Sequence, residues 1–186
     1  MDNYNNIIKG ILKNNPKAQM AFYDLFFLPT YQSAYAIVGN SNEAEEIMQD
    51  TLMKVLLRTE LLHDDANIMK RILKRIASNH AIDIVRKRKD FFASMEDEKW
   101  IDYNYKDEDD IIEDELCIEK IKEGIEQLAI GFRSIISLRL FEEMSFSEIA
   151  SQLKMNPSTV RVQYTRGIAK LRVYLKQKYM NYEQSV

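Results

Sequence analysis

Apolar residues recur at three- and four-residue steps along almost the whole chain, and no stretch alternates strictly, so the pattern predicts helices and no sheet. Asn15-Pro16 reads as an N-cap with proline at the first helical position, and Gly39-Asn40 closes the segment that carries Phe22, Leu25, Phe26, Tyr35 and Val38. Pro29 is expected to break or kink that helix midway, because it lacks an N–H and crowds the preceding turn. A third helix is expected from Ser41 or Asn42. At about 100° per residue it puts Ile47, Thr51, Leu52, Val55 and Leu56 on one side and Glu45, Glu46, Gln49, Asp50 and Met53 on the other. After the polar stretch 59–67, a fourth helix is expected over 66–89.

The second half of the chain is periodic again from 117 to 180, and there the punctuation is sharper. Ser145 and Glu148 have the spacing of a capping box for a short helix holding Ile149, Ala150 and Leu153. Asn156-Pro157 caps a longer helix three residues later, which together spells helix-turn-helix. On the longer helix Val160, Tyr164, Ile168, Leu171 and Leu175 share one face. Ser158, Arg161, Val162, Thr165 and Arg172 share the other, with Arg166 at its edge. Such a face offers guanidinium groups to phosphate or guanine, and a threonine methyl and a valine to thymine methyls, in a major groove.

Charge divides the chain in a way that its net value of −3 conceals. Residues 71–89 carry Lys or Arg at 71, 74, 75, 86, 87, 88 and 89 against the single acid Asp83. Residues 154–178 hold seven basic side chains and no acid. Between these lies 95–115, with eleven Asp or Glu against two Lys, a local net of −9, and scattered Trp100, Tyr103 and Tyr105. That is the composition of a self-repelling linker. The expected organisation is all-α: two small helical domains, 1–92 and 116–186, joined by an acidic linker over 93–115. Two basic segments, one per domain, point to nucleic acid, since local charge outweighs the sum.

Several classes are disfavoured. A single cysteine, Cys117, cannot form an intrachain disulfide, and His63 and His80 have no zinc spacing, so no metal and no cofactor is expected. The first ten residues lack the basic and apolar regions of a secretory signal, and the longest uncharged run, between Asp24 and Glu43, is interrupted by Pro29, Gln32, Ser33 and Gly39. A cytoplasmic protein without membrane insertion is expected. No Gly-rich phosphate loop or His-carboxylate cluster suggests an enzyme.

Three stretches, "NSNEAEEIMQDTLMKVL", "RILKRIASNHAIDIVRKRK" and "FEEMSFSEIASQLKMNPSTVRVQYTRGIAKLR", resemble in order and spacing the extracytoplasmic-function (ECF) sigma factors of the sigma-70 superfamily. The resemblance spans about 18–90 and 116–175. It implies a region-two domain followed by a region-four domain, in a bacterial initiation subunit that binds core RNA polymerase and promoter DNA, both duplex and melted. Glu45, Glu46, Gln49 and Asp50 match the surface that docks on the polymerase clamp helices. Asn79 matches an asparagine that helps hold a base flipped from the minus-ten element, with Arg71, Lys74, Arg75 and Arg86 beside it for phosphates. The loop 60–67 matches the family's variable base-selecting loop, and Ile72 stands where many members carry Trp. Ser158, Arg161, Val162, Thr165 and Arg166 match positions facing the minus-thirty-five duplex, although Val162 and Gln163 replace frequent Ser and Arg. The resemblance also implies an anti-sigma factor as a partner. The rival readings are an autonomous helix-turn-helix regulator, which needs no polymerase, and a helical adaptor that leaves both basic faces idle.

Overall fold

The computed structural model describes residues 2–88, 91 and 118–180. The acidic segment 93–115 and Cys117 lie outside the described residues, and so do Trp100, Tyr103 and Tyr105. Among the described residues there are eight α-helices and no strand: α1 (Asp2–Leu12), α2 (Pro16–Val38), α3 (Ser41–Leu57), α4 (Ala66–Arg86), α5 (Ile118–Glu126), α6 (Ile130–Leu140), α7 (Phe146–Leu153) and α8 (Pro157–Leu175). A 3-10 turn, Thr59–Leu61, follows α3, and a π-helical turn, Lys176–Met180, follows α8. These elements form two compact units, the first built on α1 to α4 and the second on α5 to α8.

In the first unit, Asn15 Oδ1 accepts the amide of Lys17 at 2.9 Å and starts α2, while Gly39, at φ 64°, ends it in the left-handed conformation that glycine adopts without strain. Asn40 does not belong to that ending: its side chain accepts the Glu43 amide and caps α3. Of the two outcomes expected at Pro29, a break or a kink, the break does not occur: α2 runs through the proline. The Thr30 hydroxyl donates to the Phe26 carbonyl at 2.7 Å in the same turn. Burial carries the helix across the proline: Phe22 and Phe26 precede it and Ala34 and Ile37 follow it, all essentially inaccessible. Their transfer from water, about 1.5–3 kcal/mol for each large side chain, is the same size as the proline penalty of ~3 kcal/mol. Phe22 and Phe26 join Ile11 of α1, Met48, Leu52 and Val55 of α3, and Met69 and Leu73 of α4 in one core. α4 ends at Arg86, short of the expected 89. After Val85 the chain has only Arg86, Lys87, Arg88, Lys89 and Asp90 before the next apolar side chain, so nothing is buried by continuing the helix.

In the second unit Ile135, Ile136, Ile149, Leu153 and Val160 are buried with Leu171 and Leu175. The buried stripe of α8 is Val160, Gln163, Gly167, Leu171 and Leu175, and Tyr164 and Ile168 are half-buried at its side. The expected stripe was centred on Tyr164 and Ile168. The shift has a steric cause at Gly167, where an added Cβ would lie 2.8 Å from Ile136 Cδ1 and 3.3 Å from Phe132 Cβ. α8 therefore approaches α6 most closely along the Gly167 line.

A candidate nucleic-acid interface

The α3 face expected to meet solvent does so. Glu45, Glu46, Gln49, Asp50 and Met53 are all exposed, and Gln49 Nε2 donates to Glu45 Oε1 at 3.2 Å. Leu57, 78% exposed, continues this face one turn beyond Met53, which is itself 59% exposed. The surface is thus acidic with two apolar side chains, Met53 as expected and Leu57 in addition.

α3 is followed by a loop with a built conformation. Asp65 Oδ1 accepts the amides of Asn67 at 2.7 Å and Ile68 at 3.1 Å, capping α4. Those two amides, helped by His63 and Arg71, hold the Asp65 carboxyl below the usual carboxylate range. The Asp65 amide donates to His63 Nδ1 at 3.0 Å, and the Tyr4 hydroxyl of α1 donates to the His63 carbonyl at 3.0 Å. Burial, with Asp65 and Asp64 nearby, pushes the Tyr4 phenol up to about 12, so it stays a proton donor at every working pH.

On α4, Arg71, Arg75 and Asn79 are exposed and Arg86 is half-buried. At 100° per residue these four fall within a sector of about 80°. Lys74 is half-buried and lies about 60° outside that sector, so the structure gathers four of the five expected residues and leaves the fifth at another edge. Ile72 and Ile76 border the sector, half-buried against the core. Asn79 therefore stands between guanidinium groups and an aliphatic ledge, with exposed Asp83 one turn further on. His80 is half-buried, in keeping with a core-edge residue.

The helix-turn-helix has the expected local chemistry. The Ser145 hydroxyl accepts the Glu148 amide at 3.2 Å and Glu148 Oε2 accepts the Ser145 amide at 2.9 Å, which completes the capping box of α7. Lys154, at φ 55°, makes the left-handed turn, and Asn156 Oδ1 caps α8 by accepting the Ser158 amide at 3.0 Å. Ser158, Arg161, Val162 and Thr165 are exposed and Arg166 is half-buried. Two hydroxyls on this face are already engaged: Ser158 Oγ donates to Asn156 Oδ1 at 2.8 Å, and Thr165 Oγ1 donates to the Arg161 carbonyl at 3.1 Å. Gln163, which stands where the family often carries Arg, is 7% exposed and lies on the core side.

Phe146, the first residue of α7, was not anticipated. Its ring lies edge-on to Tyr164 at 5.3 Å, and the guanidinium groups of Arg139 and Arg161 stand 5.1 and 5.7 Å from its centroid. It gives Arg161 an aromatic rest. The visible signal was an aromatic between the capping serine and the turn. Among the described residues no group of three His, Cys, Asp or Glu is placed to hold a metal ion, and no helix is long and apolar enough to cross a membrane.

Residues 118–171, which include α7, the turn and α8 as far as Leu171, match the family model described as sigma-70, region 4. Similarity to whole proteins extends further. The chain is 28% identical over 181 residues to "ECF RNA polymerase sigma factor SigW" of Bacillus subtilis, covering 91% of this chain and 95% of that protein. It is 28% identical over 145 residues to "RNA polymerase sigma factor SigV" of the same organism, 78% and 83% of the two chains. It is 24% identical over 172 residues to "ECF RNA polymerase sigma factor SigL" of Mycobacterium tuberculosis, 91% and 96% of the two. The second unit thus defines the chain as a sigma-70-type protein. Within that class, the relatives that cover both units place it among the ECF sigma factors.

Proposed function

We propose that this chain is a transcription initiation subunit that docks on core RNA polymerase through the acidic α3 face and directs it to promoters. α8 reads the minus-thirty-five element as duplex in the major groove, with Arg161 and Arg166 on guanine or phosphate and Val162 and the Thr165 methyl against thymine methyls. Thr165 suits that role because its hydroxyl is spent on the Arg161 carbonyl. α4 and the 60–67 loop hold bases of the melted minus-ten strand, with Asn79 on a base edge and Arg71, Arg75 and Arg86 on phosphates. The proposal divides the chain into a region-two domain, 1–92, an acidic linker, 93–115, and a region-four domain, 116–186. It requires no cofactor and assigns no covalent step to the chain, since polymerase supplies the chemistry. It places the protein in the cytoplasm and gives it an anti-sigma factor as a regulatory partner.

The observation that carries this reading is the exposure of two separate arginine-bearing helix faces, one per unit, in a chain whose relatives are named RNA polymerase sigma factors. Gel filtration with bacterial core polymerase in moderate salt, beside a gel shift on duplex with the protein alone, tests it. Stable co-elution with core and weak, sequence-indifferent binding by the free protein is the expected result. Tight sequence-specific duplex binding without any association with core would make the chain an autonomous regulator instead.

A further inference from the structure

α1 supplies no residue to the two arginine-bearing helix faces or to the acidic face, yet it is firmly attached. Ile11 is 1% exposed, and Ile7 and Ile8 pack on the same core as Phe22, Met48 and Met69. Gly10 lets α1 lie directly on α2, since an added Cβ there would sit 2.5 Å from Ala18 Cβ. The Tyr4 ring meets Phe26 edge-on at 6.0 Å, and its hydroxyl reaches the His63 carbonyl, fifty-nine residues away in sequence.

That bond falls in the middle of the loop between α3 and α4. The loop is otherwise held from its two ends, by Leu61 and Leu62 against the core and by Asp65 on the first amides of α4. The stretch between, His63 and Asp64, has one attachment to the body of the unit among the described hydrogen bonds, and Tyr4 makes it. His63 in turn accepts the Asp65 amide, so the position of the His63 backbone is passed on to the residue that caps α4. A loop that discriminates among bases must hold its polar groups to a fraction of an ångström, because hydrogen bonds weaken steeply with distance and angle.

We infer that Tyr4 is a positioning residue for minus-ten specificity: its hydroxyl fixes the α3–α4 loop through the His63 carbonyl and thereby sets which base the loop accepts. The inference rests on the assignment of that loop to the melted minus-ten strand. The role assigned to Tyr4 needs no contact with DNA or polymerase. Its effect is on discrimination between bases, with total activity on the preferred promoter largely retained.

The test is run-off transcription by core polymerase with full-length wild type, Y4F and Y4M on templates carrying all four bases at each minus-ten position. Phe keeps the ring against Phe26, and Met keeps an apolar anchor, so each deletes the hydroxyl while α1 stays packed. The spread between best and worst base at the loop-read position should shrink about fivefold in both variants, the size expected from one lost neutral hydrogen bond. Co-elution with core and minus-thirty-five preference should be unchanged, and the Asp64 and Asp65 amides should exchange faster in the free variants. A base-preference profile identical to wild type in either variant that co-elutes with core overturns the inference. Should one variant fail to fold, the other decides. Wild type that supports no core-dependent transcription on any template removes the functional reading itself, an outcome distinct from variants that behave like wild type.

Discussion

α4 and α8 both present arginines, but what stands beside the arginines differs. On α8 the reading face begins at the N-cap: Ser158, Arg161, Val162 and Thr165 are exposed within the first turns. The helix-turn-helix closes through a capping box, a left-handed Lys154 and the Asn156 cap, so its N-terminal end projects as a rigid rod suited to a groove. On α4 the exposed arginines and Asn79 run along a ledge of half-buried Ile72 and Ile76, and the helix is entered through a loop tied down by Asp65 and Tyr4. An amide between cations and an apolar shelf suits an unstacked base better than a closed duplex. In the proposed reading, charge would place both helices on nucleic acid, and the neighbours of the charge would separate duplex from single strand.

Breaking α8 should have the largest effect. R161A is expected to lower transcription from promoters that depend on the minus-thirty-five element by roughly 5- to 100-fold, the worth of one good guanidinium contact, and to reduce the log–log salt slope by about one. Run-off assays at several salt concentrations measure both. N79A should cost about tenfold in open-complex formation, read by permanganate reactivity of minus-ten thymines, with the minus-thirty-five preference intact. F146A sharpens the picture of α8. It leaves every expected base-contacting side chain in place but removes the ring beneath Arg161, so a loss of about two- to fivefold on the same promoters is expected, smaller than for R161A and absent in an R161A background.

Two smaller effects concern how each helix starts. S145A deletes one half of the α7 capping box, and should cost about 1 kcal/mol and lower the melting temperature of the second unit by ~4–8 °C without altering promoter preference. The Asp65 cap on α4 predicts a pH response. Its folded carboxyl is depressed, so the stabilisation it gives is fully present above the ordinary carboxylate value and is lost as pH falls through the folded value. Protection of the Asn67 and Ile68 amides should therefore be flat from neutrality to the ordinary carboxylate range and should decline only below it. Loss of protection at a pH well above the carboxylate range would mean that Asp65 does not control the loop.

Local punctuation was the most legible part of the sequence. Asn15-Pro16, Ser145 with Glu148, and Asn156-Pro157 act as read, because caps depend on side-chain oxygens within three residues of the amides they serve. Pro29 does not end the helix because a breaker is a local penalty while burial of Phe22, Phe26 and Ile37 is a tertiary gain that no window of sequence displays. The turn of α8 by one position, which buries Gln163, depends on Gly167 meeting Ile136 and Phe132 from α6, again a property of packing. Tyr4, Ile7, Ile8 and Ile11 had the helical spacing in plain view, but their purpose did not, since the partner of the Tyr4 hydroxyl is a backbone carbonyl in a distant loop. Phe146 was similarly visible as a residue and invisible as a rest for Arg161.

The division of labour between the two helices is tested most directly by transcription from matched promoters with the minus-ten element either fully paired or pre-melted by mismatches, using wild type, N79A and R161A with core polymerase. Pre-melting removes the cost of unpairing, so it should restore N79A substantially toward wild type while leaving the R161A defect as large as on the paired template. Equal rescue of both variants, or of neither, would contradict the assignment of α4 to the melted strand and α8 to the duplex.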